Sequence, residues 1–255
     1  MLMPLRMRLW SALFCFASLF FLRAVAVAAE AKTVTKVRFV TEYWEGFTNR
    51  DGTGLYLEVV KGAIPEMDFS IMPWKRAQTE FEGGKFDGII GADDSLNCTY
   101  PKWPIDSNKL AAFYRRESIP KYTNVSALSG KKVVWVRGYG FDKYAQIKPA
   151  FEVDTMQAGI NMVLSGRADL LIDYLPDIRK FLESQQYAKD KFASDYVEFS
   201  AGGLFVCFKG SRAKDLAGRF DAHMDKLQQT GELKKIYTRY TSENDYIEML
   251  KHKKK

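Results

Sequence analysis

The 255-residue chain has two histidines, His223 and His252, and three cysteines, Cys15, Cys98 and Cys207. So little material excludes a zinc centre built from histidine and cysteine, and a histidine-based nucleophile triad. The sequence also lacks a nucleophile elbow, a phosphate-binding loop and a paired-histidine metal motif. No apolar run approaches the roughly 20 residues that a membrane helix needs. The nearest is "LWSALFCFASLFFL", which follows Arg6 and Arg8 and gives way to the small residues of "RAVAVAAEA". That order is a secretory leader, with cleavage after Ala28 or Ala29, and it places the mature protein outside the cytoplasm, in the periplasm. Cys15 lacks the small residue that precedes a lipidated cysteine. Cys98 and Cys207 then remain in an oxidising compartment, where they either pair or stay free; their separation in sequence does not decide between the two.

An excess of one charge is missing as well. The formal net charge is +7, but Arg6, Arg8 and Arg23 leave with the leader and four lysines belong to the terminal "KHKKK". What remains is 31 Lys+Arg against 31 Asp+Glu, a neutral body without the basic face of a nucleic-acid binder. The tail reads as a solvated end.

What is present is a repeated phrase. "GGKFDGII", ending at Ile90, and "SGRADLLI", ending at Ile172, each run glycine, basic residue, one variable position, aspartate, then apolar residues. Around each, the hydrophobic period alternates between that of strand and that of helix. "KVRFVTEYW" is a strand, and "LYLEVVKGAI" is a helix with Leu55, Val59, Gly62 and Ala63 on one face. "FSIMP" is a second strand, and "WKRAQTEFEGG" a second helix with Trp74, Ala77 and Phe81 at helical spacing, stopped by Gly83 and Gly84. "DGIIG" is a short buried strand. The order recurs in "KKVVWV", "GFDKYAQI", "AFEV", "TMQAGINMVLSG" and "DLLID". Each phrase therefore marks a corner where a helix ends on glycine and turns into a buried strand. Two similar βαβαβ lobes follow, with parallel sheets covered on both faces. "LAAFYRRES" and "GGLFVCFKGS" read as extended crossovers between lobes, a pair that makes a hinge. The helices "AKDLAGRFDAHMDKLQQTG" and "ELKKIYTRY" return to the first lobe. The expected division is leader 1–29, first lobe 33–113, second lobe 114–202, return segment and terminal helices 203–250, and basic tail 251–255.

In this order and spacing, "DGTGLYLEVVKGAI", "PWKRAQTEFEGGKFDGIIG", "LSGKKVVWVRGYGFDKY", "MVLSGRADLLIDYLPDI" and the segment from "GGLFVCF" to "KKIYTRY" resemble the extracytoplasmic solute-binding proteins of the amino-acid (family 3) class. The resemblance covers the chain from about Lys36 to Tyr240 and implies a type II periplasmic-binding fold, a small-molecule cleft between lobes that closes on its solute, and delivery to a membrane permease. No cofactor is expected, and a monomer is.

Ligands of open α/β sheets bind beyond the carboxyl ends of strands, which here are "EYWEGF", "PWKR", "GADDS", "RGYGF" and "DYLPD". Tyr43 and Trp44 either stack on a ligand or close the core. Arg76 offers a bidentate fork to an anion, or is a solvated first-turn residue. Gly138, Tyr139 and Gly140 form a strand-to-helix corner where the resembled family often holds a ligand carboxylate. Asp173, followed by Tyr174, stands where family members commonly hold the ligand's ammonium group, or else caps the next helix. One departure is clear: relatives follow the first-lobe strand with threonines and an arginine that clamps the α-carboxylate, whereas this chain has Asp93 and Asp94 and no arginine until Arg115. Either Arg76 replaces that clamp, or Asp93 joins Asp173 in favouring an amine-bearing solute. Two other functions use the same fold: a ligand-sensing partner of a membrane receptor, and an eliminating enzyme using Glu42, Glu45, Asp93 or Asp173 as acid or base.

Overall fold

The computed structural model describes residues 35–107, 109–119, 125–145, 148–184, 192–196 and 202–255. The expected leader lies outside them. In chain order the elements are β1 (Val37–Thr41), α1 (Leu55–Ala63), β2 (Met67–Ile71), α2 (Trp74–Glu82), β3 (Gly88–Ala92), β4 (Asp106–Ser107) and β5 (Leu110–Arg115). There follow a 3₁₀ turn (Val125–Leu128), β6 (Val133–Val136), α3 (Asp142–Ala145), β7 (Phe151–Val153), α4 (Met156–Leu164), β8 (Leu170–Tyr174), α5 (Leu175–Ser184), β9 (Phe192–Tyr196) and β10 (Gly203–Phe208). Three helices end the chain, α6 (Ala213–Thr230), α7 (Glu232–Tyr240) and α8 (Glu243–Leu250). Among the described residues no helix is long and apolar enough to cross a membrane.

The strands form two five-stranded sheets with the same plan. One runs β2-β1-β3-β10-β4, the other β7-β6-β8-β5-β9. Within each, the first three strands are parallel, as two successive βαβ crossovers require. The sheets are mixed rather than wholly parallel. The fourth strand in each, β10 or β5, arrives from the other lobe and pairs antiparallel on both sides. The chain leaves the first sheet between β4 and β5, upstream of the expected 113/114 boundary, and returns between β9 and β10.

The repeated phrase has the same geometry in both lobes. α2 ends with Gly84 at φ 78° and α4 with Gly166 at φ 75°, left-handed positions that suit a residue without a side chain. At each end the glycine amide bonds a carbonyl three residues back, and the following Lys85 or Arg167 amide bonds one five back, a Schellman cap. The aspartate then does a second job. Asp87 accepts the Arg38 amide at 2.8 Å, and its own amide donates to the Arg38 carbonyl. Asp169 does the same to Lys132, also at 2.8 Å. Each aspartate thus sets β3 or β8 against the start of its parallel neighbour.

The terminal helices pack on the first sheet. Arg219 of α6 forms a two-pronged ion pair with Glu66, and Tyr237 of α7 donates to the Ile105 carbonyl at 2.6 Å. Cys98 and Cys207 are joined in a disulfide, with Cα atoms 6.0 Å apart. The basic tail is not simply solvated. The Lys253 ammonium lies 3.9 Å from the centre of the Trp103 ring and 2.8 Å from Asp225, and Lys254 stands over Tyr100 and Phe205. Ring faces and a carboxylate attract an ammonium more strongly than the tail's composition suggests.

Replacing Asp87 or Asp169 with alanine leaves a strand-edge amide without its charged acceptor. Either change should cost about 1.5–3 kcal/mol in urea unfolding, whereas D68A, at an exposed ion pair, should cost under about 1 kcal/mol.

Candidate functional site

A cavity of about 700 Å³ lies between the two sheets. The ends of β1 and β2 wall it on one side, through Glu42 to Glu45 and through Ile71 to Pro73. On the other side stand Tyr139 after β6, Asp154 to Gln157 after β7, and Asp173 and Asp177 at β8 and α5. Parallel strands carry these residues because their carboxyl ends all point the same way, so loops from three strands of one lobe face loops from two of the other.

Contacts cross between the lobes around this space. The Trp44 indole donates to the Tyr139 hydroxyl at 3.2 Å, and that hydroxyl donates to Glu42 Oε2 at 3.2 Å. Gln78 donates to the Gly138 carbonyl at 3.2 Å, Lys143 approaches Asp93 at 3.6 Å, and Lys180 pairs with Glu45 at 2.7 Å. Gly138 has φ 86°, and a Cβ there would stand 2.8 Å from the Gln78 side chain, so this corner supports the lobe contact through close backbone approach.

The expected site residues separate into those that border the cavity and those that do not. Tyr43, Trp44, Arg76, Tyr139 and Asp173 border it. Of the aromatic pair, Trp44 is buried against Trp74 and Tyr56 and belongs to the core, while Tyr43 is exposed beneath the Arg50 guanidinium. Trp44 lies so close to β3 that a Cβ on Gly91 would stand 2.5 Å from its ring. Arg76 is two-thirds exposed, with its guanidinium 3.7 Å from Glu80, four residues on along the same helix. Asp93 does not border the cavity: it accepts the Ser95 amide and faces Lys143. Asp94 is exposed away from it. Gly138 and Gly140 shape the turn but do not line the cavity, and Tyr174 lines a smaller neighbouring space with Tyr56, Asp106 and Pro176. The "GADDS" corner therefore contributes a lobe contact instead of a wall.

Sequence reasoning passed over Asp154 to Gln157, because "AFEV" ends without a glycine or aromatic signal. It also passed over Lys180 and Phe181, which reach the cavity from the second turn of α5. Helical spacing from Asp173 could have found them.

Electrostatics sets the cavity apart. Asp173 is 1% exposed; its Oδ1 accepts the Tyr174 amide at 2.8 Å, and its Oδ2 has no partner. Burial, with neighbouring Asp177 and Glu42 adding repulsion, holds its carboxyl well above the ordinary range. Glu42 is pushed up to about 7 by burial, opposed by bonds from Tyr139 and the Trp74 amide. Burial raises Asp177 to about 6, with Lys180 working against it.

No family model matches the chain, and no curated protein matches it. Solved structures do. It is similar to the substrate-binding protein of an amino-acid ABC transporter, with 14% identity, 80% of this chain and 98% of that one covered, and a TM-score of 0.65. An ABC uptake transporter substrate-binding protein from Streptococcus pneumoniae with bound histidine aligns at 15% identity over 80% and 92% of the chains, TM-score 0.65. An ancestral amino-acid-binding protein described as a precursor of cyclohexadienyl dehydratase aligns at 15% identity over 81% and 96%, TM-score 0.64. The chain has the two-lobed type II periplasmic-binding fold.

The three raised carboxyls predict a pH signature. Each binds its proton more tightly folded than unfolded, so their ionisation cost is absent below about pH 4 and grows as pH rises, through about 6 for Asp177 and about 7 for Glu42. His223, lowered by burial and Lys226, acts in the opposite direction. The informative quantity is therefore a difference: between about pH 5 and about pH 8, ligand-free E42Q should lose less melting temperature than the parent protein. An equal loss in both would remove Glu42 from the account.

Proposed function

We propose that this protein binds a small polar solute, an amino acid, an amine or a related molecule, outside the cytoplasm and closes its lobes over it. One observation carries the reading: a cavity of about 700 Å³ whose wall is contributed by strand ends of both lobes. A solute there touches both sides at once, so it binds the closed arrangement more tightly than the open one, and only that difference can drive closure. Micromolar affinity corresponds to about 8 kcal/mol, within reach of a few charge-assisted contacts and ring packing. The leader pattern and the likeness to ABC transporter binding proteins support delivery of the solute to an inner-membrane permease. A sensing role would use the same cleft and closure. A catalytic reading has one specific observation behind it, the Glu42 carboxyl at about 7 bonded to Tyr139, together with the likeness to a dehydratase precursor. Turnover of the bound solute by purified protein separates that reading from binding, and growth of a deletion strain on the solute separates uptake from sensing.

Screening amino acids, amines, carboxylates and sugars by thermal shift, followed by small-angle scattering, should find a solute that raises the melting temperature and contracts the protein. For that solute, D173A should weaken binding by about thirtyfold or more, through loss of a buried charged contact. D93A, at a residue that does not border the cavity, should weaken it by less than about threefold.

A further inference from the structure

Asp173 and Glu42 reach the cavity from opposite lobes. Asp173 is almost wholly buried, yet Oδ2 has no donor. A buried polar atom left without a partner is destabilising, and the cavity is the side from which one can reach it. The partners of Glu42 are a tyrosine hydroxyl and a backbone amide, neither of which carries charge. Among the described residues, five carboxyls line the cavity: Asp154 pairs with Arg137, and Glu45 takes Lys180 at 2.7 Å, the same lysine that acts on Asp177. That leaves Glu42, Asp173 and Asp177 with no cation from the described residues beyond the lysine that Glu45 already holds. The arginines at the margin are engaged as well, Arg76 with Glu80 and Arg50 with the Tyr43 ring. Among the described residues no three of His, Cys, Asp and Glu converge as metal ligands. The cavity has room for several methylenes and is walled partly by Trp44 and Phe181.

Building on the solute-binding reading, we infer that the cleft takes a compact organic cation with more than one protonated nitrogen and no carboxylate, held between Glu42 of one lobe and Asp173 of the other. Its nitrogens supply the missing donors, and its charge draws together two lobes whose acids otherwise repel. A carboxylate on the same molecule would be placed among these acids, with only the exposed guanidiniums of Arg76 and Arg50, both already engaged, to receive it.

Titration calorimetry of the purified protein near neutral pH, with cadaverine against lysine and agmatine against arginine, isolates the carboxylate within each pair. We expect each decarboxylated compound to bind about tenfold or more tightly than its amino acid, and D173N to weaken agmatine binding by about thirtyfold or more. Ligand-free D173N and E42Q should melt no lower than the parent, so loss of binding in either is not loss of fold. Four results would overturn the inference while leaving solute binding intact: an amino acid matching its decarboxylated partner, a monoamine matching the diamine, a carboxylate or sugar binding more tightly than any amine, or undiminished agmatine binding in D173N. If no amine, amino acid, carboxylate or sugar gives heat or contracts the protein in scattering, both readings fail.

Discussion

Two aspartates hold the two halves of this molecule in the same form. Asp87 and Asp169 each accept a strand-edge amide and return their own amide to the same residue's carbonyl. This sets β3 against β1 and β8 against β6. Since Glu42 to Glu45 follow β1 and Asp173 lies near the end of β8, the positions of Glu42, Glu45 and Asp173 in the cleft rest on those pairings. A hydrogen bond to an ionised side chain, made where a helix has just terminated, is among the stronger local constraints available to a chain. Its use in duplicate explains how two lobes of different sequence carry one strand order.

The repeat was legible because glycine, aspartate and apolar run each have a local physical cause. Gly84 and Gly166 are needed where φ is positive, and the apolar residues are needed where a strand is covered on both faces. The mixed character of the sheets was not legible. β5 and β10 carry the same apolar signature as a parallel strand, and their direction depends on which lobe the chain comes from. The site divided in the same way. Asp173 stands out because a polar residue ends an apolar strand, whereas Asp93 gives an equal signal and turns instead to Ser95 and Lys143. Which of two strand-end aspartates faces a cavity depends on loop conformation, and period carries no information about that. Lys180 and Phe181 were hidden for a related reason: their approach depends on the direction in which α5 leaves β8.

The cleft keeps ionisable groups where water is scarce and gives them few partners. Burial raises Glu42, Asp173 and Asp177, while Glu66, paired with Arg219 on the first lobe, is drawn down to about 2. Glu66 is satisfied by an arginine of the chain itself, whereas Asp173 keeps one oxygen without a donor. Local instability of this kind is what a site that must discriminate requires, because a pocket content on its own gains little from being filled.

The sheet order also bears on assembly during synthesis. β10 sits between β3 and β4, so the first lobe lacks its fourth strand until residues 203–208 have emerged, and Cys98 must wait for Cys207. The second sheet draws all its strands from one continuous stretch, Leu110 to Tyr196. The half made later can therefore complete its pairing earlier, and the half made first is sealed last, by the covalent bond between Cys98 and Cys207.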